Sequence, residues 1–148
     1  MSKTVSYKGQ LPIGEQDRIR LKTINGKTGY KITKFEIFPS QFTVGVKFLG
    51  KVTKTDQTGS ITDTVDFTDS DLLAAAYYED ASGSSGSGNP NKVVFDNEKF
   101  NQDIFVNITD AGGGTSPCNY YIELEATTLT DLETTMLTLQ SIRQITAP

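Results

Sequence analysis

Alternation of apolar and polar residues along short segments constrains the fold of this 148-residue chain more than any other feature. Successive side chains of a β-strand point to opposite faces of the sheet, so a period of two predicts a half-buried strand. The pattern recurs around residues 18–22, 42–48, 104–109 and 119–125. A high content of Thr, Ser, Gly and Asn, which favour strands and tight turns, agrees with it. We therefore predict a single all-β domain built as a β-sandwich, jelly-roll-like in general style.

The apolar positions of these segments define the predicted core. They include a returning strand over residues 30–38, in which the alternation changes phase between Ile32 and Phe35 and so predicts a β-bulge. An Asn-Gly pair at 25–26 favours a type I′ turn before that strand. The short apolar run at 72–78 fits either a short helix capped by Ser70 or a further strand, and we favour a strand because the neighbouring segments are strands. The predicted core consists of Ile19, Leu21, Ile32, Phe35, Ile37, Phe42, Val44, Val46, Phe48, Val94, Ile104, Val106, Ile108, Tyr120, Ile122 and Leu124.

The N-terminal segment, residues 1–14, carries two glycines and a proline and shows little sustained alternation. We expect it to be an arm that becomes ordered only on assembly, while residues 15–148 form the folded domain. The alternative is an ordinary first strand of its own sheet. The Gly- and Ser-rich segment 81–91 is expected to be an exposed loop inside this domain. The arm residues expected to contact a partner, by adding an edge strand or filling a groove, are Val5, Tyr7, Leu11 and Ile13.

The C-terminal segment changes period, because its apolar residues recur at three- and four-residue steps. This spacing predicts a short amphipathic α-helix over about 129–144, and Thr130 with Glu133 fits a capping box. Several threonines lower its intrinsic stability, so the helix needs a surface to dock on, either its own sheet or a partner. The residues expected to make this contact are Leu132, Met136 and Leu139.

The absence of histidine and the presence of a single cysteine, Cys118, exclude large classes of chemistry. A Ser-His-Asp triad, an HExxH zinc site and a zinc finger all need residues that the chain lacks. Asp66, Asp69 and Asp71 are too close together for an EF-hand loop and are interpreted as turn residues. We therefore expect no enzyme activity, no catalytic residue, no cofactor and no metal site.

Hydropathy and charge bear on the cellular location of the chain and on its binding partners. No apolar run approaches the roughly 18 residues that cross a bilayer, and the start has no apolar signal segment, so we expect synthesis in the cytoplasm and no membrane partner. Residues 1–54 carry eleven basic and three acidic side chains. Because the basic ones alternate with apolar residues, they are interpreted as a solvated strand face rather than a nucleic-acid site.

Six segments resemble, in the same order, parts of small virion proteins of tailed phages that infect marine bacteria. That group comprises capsid decoration and other virion structural proteins, so the resemblance implies a virion component and supplies no catalytic residue. Residues 51–91 match it poorly. The matching segments are 14–19 (GEQDRI), 29–32 (GYKI), 93–98 (VVFDNE), 100–103 (FNQD), 118–125 (CNYYIELE) and 139–143 (LQSIR).

The function expected from the sequence is therefore that of a capsid decoration or cement protein. Such a protein would be made in the host cytoplasm, form a homo-oligomer and bind the major capsid protein at the capsid surface of the virion. A tail or head-tail adaptor, or a host-binding virion protein, is the alternative. A carbohydrate-binding module or an acidic-site enzyme is more distant, since the chain has neither Trp nor His, and DNA binding by the basic half is weaker still.

Overall fold

A computed structural model describes residues 3–23, 27–41, 46–59, 61–62, 64–79, 91–95, 97–112 and 116–146. The predicted turn at 25–26, the core positions Phe42 and Val44, and loop residues 81–90 lie outside these ranges. The strands are β1 (Lys3–Leu11), β2 (Glu15–Ile19), β3 (Thr28–Pro39), β4 (Lys47–Thr53), β5 (Leu72–Glu79), β6 (Asn91–Phe95), β7 (Ile104–Asp110) and β8 (Cys118–Thr128). One helix follows, α1 (Asp131–Thr146).

The strands form two antiparallel sheets, which confirms the prediction of an all-β, sandwich-like fold with one C-terminal helix. A three-stranded sheet has the order β1-β8-β3, and a five-stranded sheet has the order β2-β7-β4-β5-β6. The last strand of the chain, β8, is the central strand of the three-stranded sheet and pairs with β1 on one side and β3 on the other.

The local signals of the sequence are confirmed at three places. The β3–β8 register shifts between Ile32 and Lys34, where the change of phase predicted a bulge. Residues 72–78 belong to β5. The capping box at the start of α1 is formed, because the amide of Thr130 donates to Glu133 Oε1 at 3.1 Å and the amide of Glu133 donates to Thr130 Oγ1 at 3.2 Å.

The core lies between the two sheets and contains the inward residues of β3, β7 and β8. The sheets approach closely at Gly50 of β4. A Cβ built on Gly50 would stand only 2.7 Å from the Cγ2 of Ile37 in β3, so the absence of a side chain lets the two faces meet. Val94 corrects the predicted core: it is exposed and pairs with Ala75 at the end of the five-stranded sheet, so it does not take part in the core.

The N-terminal arm is the main correction to the predicted domain organisation. Residues 3–11 form β1, and all nine pair with β8 from Lys3 opposite Ala126 to Leu11 opposite Cys118. Backbone groups of β8 would otherwise lie at a sheet edge, where they attract a further strand. The alternative interpretation, an ordinary strand of its own sheet, therefore describes this segment, and the folded domain begins with β1 rather than at residue 15.

Candidate partner-binding surfaces

The four residues predicted to contact a partner from the N-terminal segment are directed at the chain's own core. Leu11 is 2% exposed, and Val5, Tyr7 and Ile13 are half-buried against the core cluster. Burial, with a smaller contribution from Asp103, raises the pKa of Tyr7. These side chains pack against the chain's own core rather than standing free for a neighbour, which corrects their assignment to a free arm.

A glycine concealed the alternation of β1 from sequence analysis. Val5, Tyr7 and Leu11 occupy inward positions, and the fourth inward position of this series is Gly9. A Cβ on Gly9 would stand 2.8 Å from the ring of Tyr120 in β8, so the glycine makes room for that ring. The signal that could have found β1 is a period of two with one position left empty for a large aromatic neighbour.

Tyr120 ties the two sheets together at this point. Its hydroxyl donates to Asp17 Oδ2 of β2 at 2.9 Å. Burial and this bond to a carboxylate both disfavour the phenolate and raise the pKa of Tyr120. A second polar link holds the start of the five-stranded sheet, where Arg18 forms an ion pair with Asp103 at 2.8 Å. The first link joins β2 to β8 across the two sheets, and the second joins β2 to the residue before β7.

The three helix residues predicted to contact a surface are exposed. Leu132, Met136 and Leu139 are 70%, 53% and 52% exposed. Their spacing of four and three residues puts them on one face of α1. We call this face the helix stripe. Within the residues that the structure describes, the chain's own sheets do not cover it.

The helix is held on the domain by a different and mainly polar set of contacts. Lys99 Nζ forms an ion pair with Glu133 Oε2 at 3.2 Å, and Asn101 Nδ2 donates to Thr138 Oγ1 at 3.2 Å. The bond from the Thr130 amide, followed by the contacts with Lys99, lowers the pKa of Glu133. Leu129, immediately before the helix, is buried. Together these contacts hold α1 with the helix stripe facing outward.

The Cys118 thiol and the Asp66 carboxylate, which were considered for chemistry, are engaged in the fold of the described chain. Burial raises the pKa of the Cys118 thiol to about 12, so it stays protonated near neutral pH and is a poor nucleophile. Asp66 Oδ1 accepts bonds from the amide and hydroxyl of Thr68, as in a turn. Among the described residues, no group of three or more His, Cys, Asp or Glu side chains is placed to hold a metal ion.

An open groove crosses the outer face of the three-stranded sheet. Its volume is about 500 Å³. Sequence analysis did not find it, because its residues come from three strands that are far apart in the chain and meet only through the β1–β8–β3 pairing. The outward side chains that line it are Lys8, Gln10, Glu36, Phe38, Asn119 and Tyr121, and we call it the outer groove.

Comparison with known proteins adds no relative to this description. No protein-family model matches the chain, and no curated protein matches it significantly. Within the described part of the chain, α1 is neither long nor apolar enough to serve as a membrane-spanning helix.

Proposed function

We propose that this chain is a virion structural protein that decorates and stabilises a phage capsid, binding the shell of the major capsid protein. The observation that carries the proposal is the helix stripe, an apolar face that the domain builds and does not cover. The ordered resemblance to small virion proteins supports the same function.

The helix stripe fits docking better than it fits a free surface. An amphipathic helix normally turns its apolar side towards its own core. Here the half-buried side of α1 carries one leucine among polar residues, whereas three large apolar side chains, Leu132, Met136 and Leu139, project outward. The half-buried residues are Glu133, Thr134, Leu137 and Thr138. A row of large apolar side chains in water is typical of an interaction site. We assign the helix stripe to the contact with the capsid shell.

The remaining features suit a repeated, non-catalytic contact. The chain has no histidine and a single buried cysteine, so it folds without a disulfide of its own and exposes no reactive thiol. Three apolar side chains give only a weak contact by themselves. Repetition over a closed lattice, and contacts between copies in a homo-oligomer, convert weak contacts into firm attachment. Such a protein would be made in the host cytoplasm and act at the capsid surface.

The test compares two single substitutions on the same helix. Met136→Asp places a charge in the helix stripe, and Gln140→Asp places the same charge on an exposed position to one side of it. Purified variants are mixed with capsids that lack the chain and sedimented. We expect Met136→Asp to reduce binding by about tenfold or more, since a charge is buried without a partner, while Gln140→Asp binds like the natural chain.

The result that would contradict the proposal is equal binding by both variants, or no binding by the natural chain. Equal melting temperatures of the free variants would show that neither substitution disturbs the fold.

Gel densitometry of purified virions separates decoration from the alternative of a head-tail adaptor. Many copies per particle fit decoration of a lattice, whereas a single ring of copies fits an adaptor.

A further inference from the structure

The outer groove brings two rows of outward side chains together on the three-stranded sheet. In one row Tyr121 of β8 lies between Lys8 of β1 and Glu36 of β3. In the next row Asn119 lies between Gln10 and Phe38. Strand spacing gives these rows a footprint of about 10 by 7 Å. This footprint and the room of about 500 Å³ are in the range of a small-ligand site.

Two aromatic rings provide the apolar part of the groove. Phe38 is 59% exposed and lies diagonally across from Tyr121 on the neighbouring strand. The Tyr121 ring is held in place, since its hydroxyl donates to Glu123 Oε2 at 3.0 Å and Lys34 Nζ lies 5.7 Å from its centroid. A ring that is fixed before binding loses little side-chain entropy when a ligand packs on it.

An amide pair provides the polar part. Gln10 Nε2 donates to Asn119 Oδ1 at 3.1 Å, which fixes the side chain at the β1 end of the second row to the one at its centre. The bond leaves the Gln10 carbonyl oxygen as an acceptor and the Asn119 amide nitrogen as a donor, and neither makes a further bond within the described residues. A donor beside an acceptor matches neighbouring hydroxyl groups, each of which both donates and accepts.

The charges of the groove select against an ionic ligand. Lys8 and Glu36 contribute one positive and one negative charge, and Glu36 also faces Lys34 at 3.7 Å. Glu123 lies opposite Lys34, so positive and negative charges balance around the groove, and a phosphate or sulfate group would meet carboxylates as well as cations. A ligand with an apolar face and neutral hydroxyl groups fits better, because its C–H face packs on the rings while its hydroxyls meet the amides.

We propose that the outer groove binds a neutral hexopyranose unit of a glycan. The absence of Trp, which argued against sugar binding in the sequence, is offset by a phenylalanine and a tyrosine that only the sheet register brings together. This activity goes beyond attachment to a capsid, and it does not depend on it: the groove lies on the outer face of the three-stranded sheet, whereas the helix stripe lies on α1.

The experiment is a titration of the full ¹⁵N-labelled chain followed by NMR. Cellotetraose, maltohexaose and mannohexaose serve as neutral probes and trigalacturonic acid as the acidic probe, each up to about 20 mM, which detects millimolar affinity. We expect at least one neutral probe to shift the amide signals of Gln10, Asn119 and Tyr121. Phe38→Ser and Gln10→Ala should each weaken that binding by about tenfold.

Tyr77→Ala is the matched control. Tyr77 lies on the outer face of the five-stranded sheet and donates to Glu79 Oε2 at 2.7 Å, the same two-residue arrangement as Tyr121 with Glu123. Binding should be unchanged in this variant. The melting temperature of each variant shows whether the fold is intact, and Gln10 is an exposed edge residue whose truncation leaves the core untouched.

Several results would overturn the proposal. They are an absence of shifts with all three neutral probes, shifts outside the groove, or binding that survives both groove substitutions. Shifts with trigalacturonic acid alone would assign the groove to an acidic ligand. A dimer in sedimentation that Phe38→Ser dissociates would assign it to a second copy of the chain.

Discussion

The two ends of the chain carry similar apolar residues but use them in opposite ways. Residues 3–11 at the N-terminus are built into a sheet, and their apolar side chains face the core. The helix at the C-terminus keeps Leu132, Met136 and Leu139 outside. Apolar residues at a chain end therefore do not by themselves identify a partner contact.

Backbone hydrogen bonding explains the difference. A strand bonds to another strand, so an isolated β1 would leave its own backbone groups and those of β8 to water. Pairing with β8 satisfies both strands and buries the inward side chains. A helix satisfies its interior backbone groups by itself. Once its ends are capped, it can lie on the domain through a few contacts and still present an apolar face.

Removal of residues 2–11 gives the largest effect expected from this comparison. The deletion takes away a nine-residue ladder and uncovers Tyr120, Ile122 and Leu124, which lie opposite β1. We expect the free energy of unfolding to fall by about 5 kcal/mol or more, which is the whole stability of many domains. Chemical denaturation measures it. Truncation after residue 130, which removes the helix, should cost clearly less, and an unchanged unfolding midpoint in the N-terminal deletion would restore the interpretation of a free arm.

A matched pair of substitutions sharpens the same comparison at single residues. Leu11→Ala removes a side chain that is 2% exposed, whereas Leu132→Ala removes one that is 70% exposed. We expect the first to lower the free energy of unfolding by about 2–4 kcal/mol through a cavity. The second should change it by less than about 0.5 kcal/mol. If both cost the same in the monomeric chain, the helix stripe is covered and our account of it is wrong.

Tyr120→Phe tests the polar link beside β1. The substitution keeps the ring that packs over Gly9 and removes the hydroxyl that donates to Asp17. Because the acceptor is a carboxylate, loss of this bond should cost about 1.5 kcal/mol in thermal or chemical unfolding. Phe is also the control for packing, so a loss as large as that of Leu11→Ala would mean that the ring has moved and that more than the bond is affected.

The smallest effect concerns the cap of α1 and its dependence on pH. Hydrogen bonds with Thr130 and Lys99 lower the pKa of Glu133 from its usual value near 4.5. The ionised Glu133 carboxylate therefore stabilises the folded chain fully above about pH 4.5. This stabilisation is lost as the pH falls through the lowered pKa that Glu133 has in the folded chain. Helical circular dichroism should decrease slightly over that range. Glu133→Gln should abolish this dependence while Glu15→Gln on β2 retains it, and an identical acid response in both variants would exclude the cap as its cause.

Local signals in the sequence predicted part of this structure. The phase change at Ile32 predicted the bulge, and Thr130 with Glu133 predicted the start of the helix, because both features depend on residues close together in the chain. The groove could not be predicted, since Gln10, Asn119 and Phe38 become neighbours only through long-range pairing. The outward direction of the helix stripe could not be predicted either, because periodicity shows which residues share a face but not what covers that face.

A reconstruction of the virion in which this chain is located would test the central claim most directly. Our account predicts that Leu132, Met136 and Leu139 lie against the capsid shell while residues 3–11 remain paired with β8 in their own sheet. Contact of the shell with residues 3–11 drawn out of that sheet, a helix stripe facing solvent on the particle, or the absence of the chain from the capsid surface would contradict it.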